Sequence, residues 1–286
     1  MAIGVPSRRR REQTLDCANA FASPDLVSRI TVVSAMRQEL AAVLRLMPDE
    51  VPVMRAGRAF QIGHLDGHEV VAVLSGVGKV AAATTAALLI GEFGVERALF
   101  TGTAGGLHES ARVGDVVVAE ALLQHDMDAS PLFPRYELPF YGTDRFITDR
   151  AMSATLADAA RAVLDEAMHR HAGDAHVGLD AKRLGAFGVT SPQVHSGLVV
   201  SGDRFVATAA ENADLRARLP EALAVEMEGA ALAQVCHDFA IPFAVVRTVS
   251  DRADDAAHVD FMRFVDDVAS RYTLEIVRRF LRDFVD

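Results

Sequence analysis

The chain has 286 residues, enough for one large domain or two small ones and for a sizeable buried core. Half of the residues are hydrophobic, but no apolar run approaches the ~18–20 residues that cross a bilayer, which argues against a membrane-spanning protein. Lys and Arg total 29 against 39 Asp and Glu, a net charge of -10 that disfavours a nucleic-acid partner, and two cysteines (Cys17 and Cys236) fit a reducing compartment, so the cytoplasm is the expected location.

The first 28 residues carry the run Arg8 to Arg11 with no hydrophobic period behind it and read as a solvated N-terminal arm. From Arg29 short β-branched runs alternate with longer helical patterns. Ile30–Ser34 reads as a buried strand and Arg37–Met47 as a helix with Leu40, Val43, Leu44 and Met47 on one face. Gln61–Leu65 and Val70–Leu74 flank Asp66-Gly67, a tight-hairpin signal. Val80–Phe93 is an alanine-rich helix, and Ala98–Thr101 and Asp115–Ala119 are strands expected to be separated by a glycine-rich turn. Met152–His171 is helical, and 171–196 reads as a long polar loop with a weak strand at Phe187–Val189. Leu198–Ser201, Leu223–Val225 and Phe243–Val249 are further strands, with helices over Ala207–Arg218, Glu228–Phe239 and Val259–Phe284. This rhythm predicts a single α/β domain over 29–286, a mixed β-sheet flanked by helices.

In open α/β sheets ligands bind beyond the carboxyl ends of strands, so the polar residues there are the candidates for chemistry. Glu39 follows the first strand, in the first turn of a helix where its charge also suits the helix dipole. Ser75-Gly76-Val77-Gly78-Lys79 and Thr101-Gly102-Thr103-Ala104-Gly105-Gly106 are glycine-rich strand ends, neither a dinucleotide fingerprint nor a P-loop, and their adjacency suggests a small ligand. His125-Asp126-Met127-Asp128 follows another strand; it invites a metal reading, but alternating side chains in an extended segment do not converge on one ion, so no metal is assigned. The densest group is late, with Glu226 and Glu228 at a strand-to-helix junction and Ser250-Asp251 just past an apolar strand. First-turn carboxylates and helix capping explain either segment alone. Together with Glu39 they suggest acid/base chemistry, one carboxylate activating water and another protonating a leaving group. No G-x-S-x-G elbow is present, and Cys236 on the apolar side of its helix reads as core.

Read together, Met36–Glu39, Ser75–Ala83, Thr101–Leu107, Gly114–Val118, His125-Asp126, Gly197–Phe205, Ala224–Cys236 and Pro242–Asp254 resemble, in order, the bacterial 5'-methylthioadenosine/S-adenosylhomocysteine nucleosidases. The resemblance implies the nucleoside phosphorylase fold, hydrolysis of an N-glycosidic bond to release adenine, a small-molecule nucleoside substrate, no cofactor and a homodimer. It implies Glu39 as the base that positions water and Asp251 as the acid that protonates the purine at N7. Glu228 would hold the ribose hydroxyls with Met227 against the sugar. Phe205 would stack on the base, Val206 would meet it through its backbone, and Thr103 and Ser250 would lie near the sugar and the acid. Phe261 falls where the family lends an aromatic ring across a dimer interface.

Two stretches depart from the family pattern. Pro131–Gly142, PLFPRYELPFYG, replaces a glycine-rich segment and is expected near the dimer contact and the 5' end of the substrate, and 171–196 is longer than usual. Both bear on the 5'-substituent; the stiff apolar lid read in 131–142 predicts a preference for the methylthio group over the homocysteine arm. The competing readings are hydrolysis of another nucleoside such as futalosine, a purine nucleoside phosphorylase and a non-catalytic purine-binding module. A phosphorylase needs arginines around a dianion where this chain has Met36-Arg37-Gln38-Glu39. A binding module has no need of all three carboxylates.

Overall fold

The computed structural model describes residues 29–169, 179–252 and 261–284. The expected arm over 1–28 lies outside the described residues. In chain order the elements are β1 (Arg29–Ser34), α1 (Arg37–Leu44), β2 (Val51–Arg55), β3 (Arg58–Leu65), β4 (His68–Leu74), α2 (Lys79–Gly91), β5 (Arg97–Gly106), β6 (Val116–Gln124) and β7 (Arg145–Ile147). They continue with α3 (Arg150–His169), α4 (Ala181–Gly185), β8 (Val194–Ser201), α5 (Ala209–Arg218), β9 (Ala222–Glu226), α6 (Gly229–Asp238), β10 (Phe243–Asp251), α7 (Phe261–Phe264), a π-helical turn (Val265–Ala269) and α8 (Ser270–Asp283). No described helix is long and apolar enough to cross a membrane.

The strands form one mixed sheet in the order β10-β6-β8-β9-β5-β1-β4-β3-β2, with β7 on β6. Because β10 also pairs with β5, the strands β5, β10, β6, β8 and β9 close into a ring, and β1, β4, β3 and β2 extend from it as an open wing. β1, β4, β5 and β10 run parallel, as do β6, β8 and β9 among themselves. The two sets join through the antiparallel pairs β10–β6 and β5–β9. The second joint is only Gly105–Val225 and Gly106–Ala224, so strands of opposite sense meet there at their carboxyl ends. That crossing gathers the loops from both sets in one place.

Apolar periodicity accounts for the layers. Tyr272, Ile276, Val277, Phe280 and Leu281 recur at helical spacing on α8 and, with α3 and Val43 and Met47 from the α1 region, cover one face of the sheet. Leu89 and Ala86 of α2 and Leu232, Ala233 and Cys236 of α6 cover the other. A third cluster, with Leu123, Val200 and Val225 from the ring and Leu215 from α5, underlies Val206. β10 is buried along its whole length, as its apolar run requires of a strand covered on both faces. The Asp66-Gly67 hairpin forms as expected, both residues taking positive φ (46° and 93°).

The structure departs from the sequence reading in several places. β5 does not stop at Thr101: the glycine-rich stretch continues the strand to Gly106. β2 and β7 were not anticipated. The apolar Phe187 and Val189 are no strand; they sit in a turn with Gly188 at φ +72°, Phe187 packing edge-on against Phe264 and Val189 against Gly114. Within 179–196, α4 forms behind its N-cap Asp180, whose carboxylate accepts from the Arg183 N–H at 2.8 Å, and β8 begins already at Val194.

Candidate active site

A cavity of about 200 Å³ opens where the two sets of strands meet. Its walls include Met36, Val77, Thr103, Phe205, Val206, Met227, Glu228, Ser250, Asp251 and Phe261. Eight of the nine residues to which the family resemblance gave roles are therefore brought to one cavity, together with Glu226, and the ninth, Glu39, lies behind it. Glu39 is fully buried in the first turn of α1; its Oε2 accepts the Met36 N–H at 3.0 Å, and Met36 lines the cavity. Its Oε1 is buried with no hydrogen-bond partner among the described residues. Burial pushes its pKa up to about 7, against the opposing charge of Arg247 and the Met36 N–H.

Glu228 sits at the start of α6 and accepts the Gly78 N–H at 2.9 Å. Its pKa is raised, first by burial and then by the charge of Glu226. Glu226, the last residue of β9, is differently placed. It accepts from the Ser201 hydroxyl, from the N–H groups of Glu228 (3.1 Å) and Gly229 (2.8 Å), and from the Arg247 guanidinium at 2.7 Å. Arg247 is wholly buried in β10, 4.0 Å above the Phe100 ring. The guanidinium fits because residue 102 is glycine: a Cβ there would stand 2.6 Å from its Nη1.

Asp251 ends β10 and lines the cavity, and its Oδ2 accepts from the Ser250 hydroxyl at 2.8 Å. Phe205 remains 42% exposed at the rim and meets Phe261 edge-on, ring centroids 6.5 Å apart. Phe261 thus lines the cavity of its own chain, whereas the family resemblance implied an aromatic lent by a partner. The segment 131–142 does not reach this cavity: Leu138 is buried in the core, Tyr136 accepts from Arg218 at 2.9 Å, and Tyr141 donates to Asp238 at 2.9 Å. Its expected place as a lid over the 5' end is not found within one chain.

His125-Asp126 does not form a metal centre; among the described residues no group of three His, Cys, Asp or Glu is arranged to hold an ion. Asp126 is instead taken by the Lys79 ammonium at 2.6 Å. The structural roles of Arg247 and Lys79 were not foreseen. Arg247 did carry a signal, since a lone arginine inside the run Phe243–Val249 has to find a buried partner. Chemically the cavity offers an aromatic edge at its rim and the carboxyl groups of Glu226, Glu228 and Asp251, with Glu39 buried behind Met36; among the described residues Arg204 is the one arginine of its lining.

The model of the phosphorylase superfamily matches residues 29–282. A 5'-methylthioadenosine/S-adenosylhomocysteine nucleosidase of Shewanella denitrificans is 33% identical over 239 residues, covering 83% of this chain and 92% of that protein. The structure is similar to that of the corresponding nucleosidase from Neisseria meningitidis in complex with methylthio-immucillin-A, at a TM-score of 0.75 and 32% identity over 90% of this chain and 100% of the other. It is also similar to a futalosine hydrolase mutant of Helicobacter pylori, at a TM-score of 0.74 and 27% identity over 90% of this chain and 100% of the other.

Proposed function

The chain belongs to the phosphorylase superfamily and, within it, to the nucleosidases that hydrolyse N-glycosidic bonds, and from that premise we propose that it releases adenine from 5'-methylthioadenosine, S-adenosylhomocysteine or both. The observation that carries this reading is a cavity with an aromatic rim that Glu228 and Asp251 line, with Glu39 buried behind Met36 of its wall. In the proposed reaction Glu39 takes a proton from water as the water oxygen bonds to C1', the bond from C1' to N9 breaks, and Asp251 gives its proton to purine N7. Positive charge grows on the ribose as negative charge grows on the purine, so a carboxylate at the sugar and an acid at the base both favour the transition state. Glu228 holds the ribose hydroxyls, its place fixed by the Gly78 N–H. Met227 and Thr103 border the sugar, and Phe205 and Val206 border the base. The Ser250 hydroxyl orients the Asp251 carboxyl.

Futalosine is the second candidate substrate, on the strength of the Helicobacter neighbour. Each nucleoside incubated in phosphate-free, chelator-treated buffer separates the readings: adenine release supports the first, release of the futalosine base alone the second, and strict dependence on phosphate overturns hydrolysis. We further propose a two-fold homodimer. Phe140 is 95% exposed and Leu132 85% exposed on the segment 131–142, an apolar rim suited to a second copy of the chain.

A further inference from the structure

Three segments meet beside the cavity: the loop between β4 and α2, which gives Val77 to its walls, the loop between β8 and α5, which gives Phe205 and Val206, and the start of the loop after β6, which packs against these two without lining the cavity. They are tied together by a closed circuit of hydrogen bonds that the reaction above does not use. The Lys79 N–H donates to Asp203 Oδ1 at 2.7 Å, the Asp203 N–H donates to Asp126 Oδ2 at 2.9 Å, and the Lys79 ammonium closes the ring on Asp126 Oδ1 at 2.6 Å. Each loop is thereby held at two points by the other two.

One step out from this ring, on each side, lies a group that meets the substrate in the proposed reaction. Gly78, immediately before Lys79, donates its N–H to Glu228. Phe205 stands two residues after Asp203 at the cavity rim. The neighbouring backbone has little slack. Gly78 has φ +90°, and a Cβ there would lie 3.0 Å from Asp203 Oδ1; a Cβ on Gly202 would lie 2.3 Å from Nε2 of His125. Lys79 is mostly covered and also donates to Gln124 Oε1 at 3.1 Å, so its ammonium is not a freely moving surface charge. Burial disfavours the charge on Asp126, but the Lys79 and Asp203 hydrogen bonds outweigh it and hold the carboxyl below its ordinary range.

We propose that Lys79, Asp126 and Asp203 are positioning residues that hold the base-binding loop in register with the ribose-binding carboxylate, and so set the affinity for the nucleoside. The inference rests on the nucleosidase reading. Contacts of Phe205 and Val206 with the base exist in the bound substrate and in the transition state alike. Loosening them removes uniform binding, which raises KM and leaves kcat nearly unchanged. A merely structural role predicts no such split.

The test is Asp203→Ala beside Asp203→Asn, whose amide oxygen still accepts the Lys79 N–H. Asp203→Ala is expected to raise KM for methylthioadenosine about tenfold with kcat within about twofold, and Asp203→Asn to restore KM to within about twofold of wild type. Hydrogen exchange of the 202–206 segment should accelerate in Asp203→Ala while α3 and α8 keep their protection. Lys79→Met, which keeps the apolar stem and opens the ring at another point, should repeat the pattern if Asp203→Ala fails to fold. A wild-type KM in the opened rings, or an Asn variant as impaired as the Ala variant, overturns the inference. If the wild-type protein releases no adenine, the nucleosidase reading fails instead, and the exchange of 202–206 alone decides whether the ring holds the loop.

Discussion

Glu226 and Glu39 are both buried glutamates beside one cavity, both near Arg247, and they differ in what their oxygens meet. Those of Glu226 are fully engaged by a hydroxyl, two backbone N–H groups and the guanidinium. Glu39 has one donor on Oε2 and none on Oε1 among the described residues. A carboxylate with every lone pair used has nothing left to offer a substrate, and it fixes the junction of β9, α6 and β10. A buried carboxylate with an oxygen that accepts no bond within the chain is costly to keep charged, in line with the raised pKa of Glu39. The two acids thus differ in the count of their partners: Glu226 serves the frame, and Glu39 is the one proposed for the chemistry.

The sharpest way to break this contrast is to remove the cation from the frame. Arg247→Met deletes the guanidinium that donates to Glu226, and is expected to cost about 3–5 kcal/mol of stability, the range found when one half of a buried ion pair is removed. Denaturant unfolding measures it. A loss below 1 kcal/mol would mean that the backbone N–H groups and Ser201 alone hold Glu226, and that the ion pair with Arg247 is no part of the frame.

Glu39→Gln acts on the other side. It is expected to lower kcat at least ~10²-fold, equivalent to about 2.7 kcal/mol, because the amide cannot accept the proton of water. Asp251→Asn should lower kcat comparably, since its amide cannot give a proton to N7. Adenine affinity, read by titration calorimetry, should survive in both. Turnover near wild type in either variant removes that residue from its proposed role.

The pH dependence sharpens the same contrast. Burial places the Glu39 pKa at about 7, above its ordinary value of 4.5. The folded protein therefore holds this proton more tightly than the unfolded chain. The associated stability is full below about pH 4.5 and is lost as pH rises through about 7. Wild type should accordingly lose thermal stability relative to Glu39→Gln across that window. Activity runs the opposite way, because a base works only when ionised: kcat/KM should rise with pH along a limb centred near 7. A stability difference that does not vary with pH would show that Glu39 is not held protonated by burial.

How far this organisation is legible in the sequence depends on what each residue type signals. The carboxylates could be placed because each lies at a strand end, and ligands in α/β sheets gather there. The turn assigned to Gly102–Gly106 misreads why glycine is present: Gly102 makes room for Arg247 and Gly106 for the Ala111 carbonyl, 2.5 Å from where a Cβ would be, so these glycines serve close packing within a strand. β2 was invisible because it is an exposed edge strand with Pro52 and no apolar alternation. Phe187 and Val189 gave a strand-like pattern because both are buried against tertiary neighbours from a turn. The ring of Lys79, Asp126 and Asp203 left no trace, since its members come from three distant segments and nothing local joins them.

The smallest effect expected of any substitution lies in the segment 131–142, which the sequence suggested as a lid and which this chain keeps away from its own cavity. Phe140 touches little in its own chain beyond the edge of Phe133, ring centroids 5.4 Å apart, and it is 95% exposed. Phe140→Ser should therefore change the stability of the folded chain by no more than about 0.5 kcal/mol, as surface substitutions generally do. If Phe140 seats on a second copy, the same change removes buried apolar surface at the interface and shifts the assembly toward monomer, which sedimentation across a dilution series detects. KM adds a second readout. A weaker dimer with unchanged KM would make the segment an adhesive rim that serves assembly alone, and a raised KM would restore the lid, acting on the neighbour's pocket. An unchanged sedimentation profile would remove 131–142 from the dimer proposal.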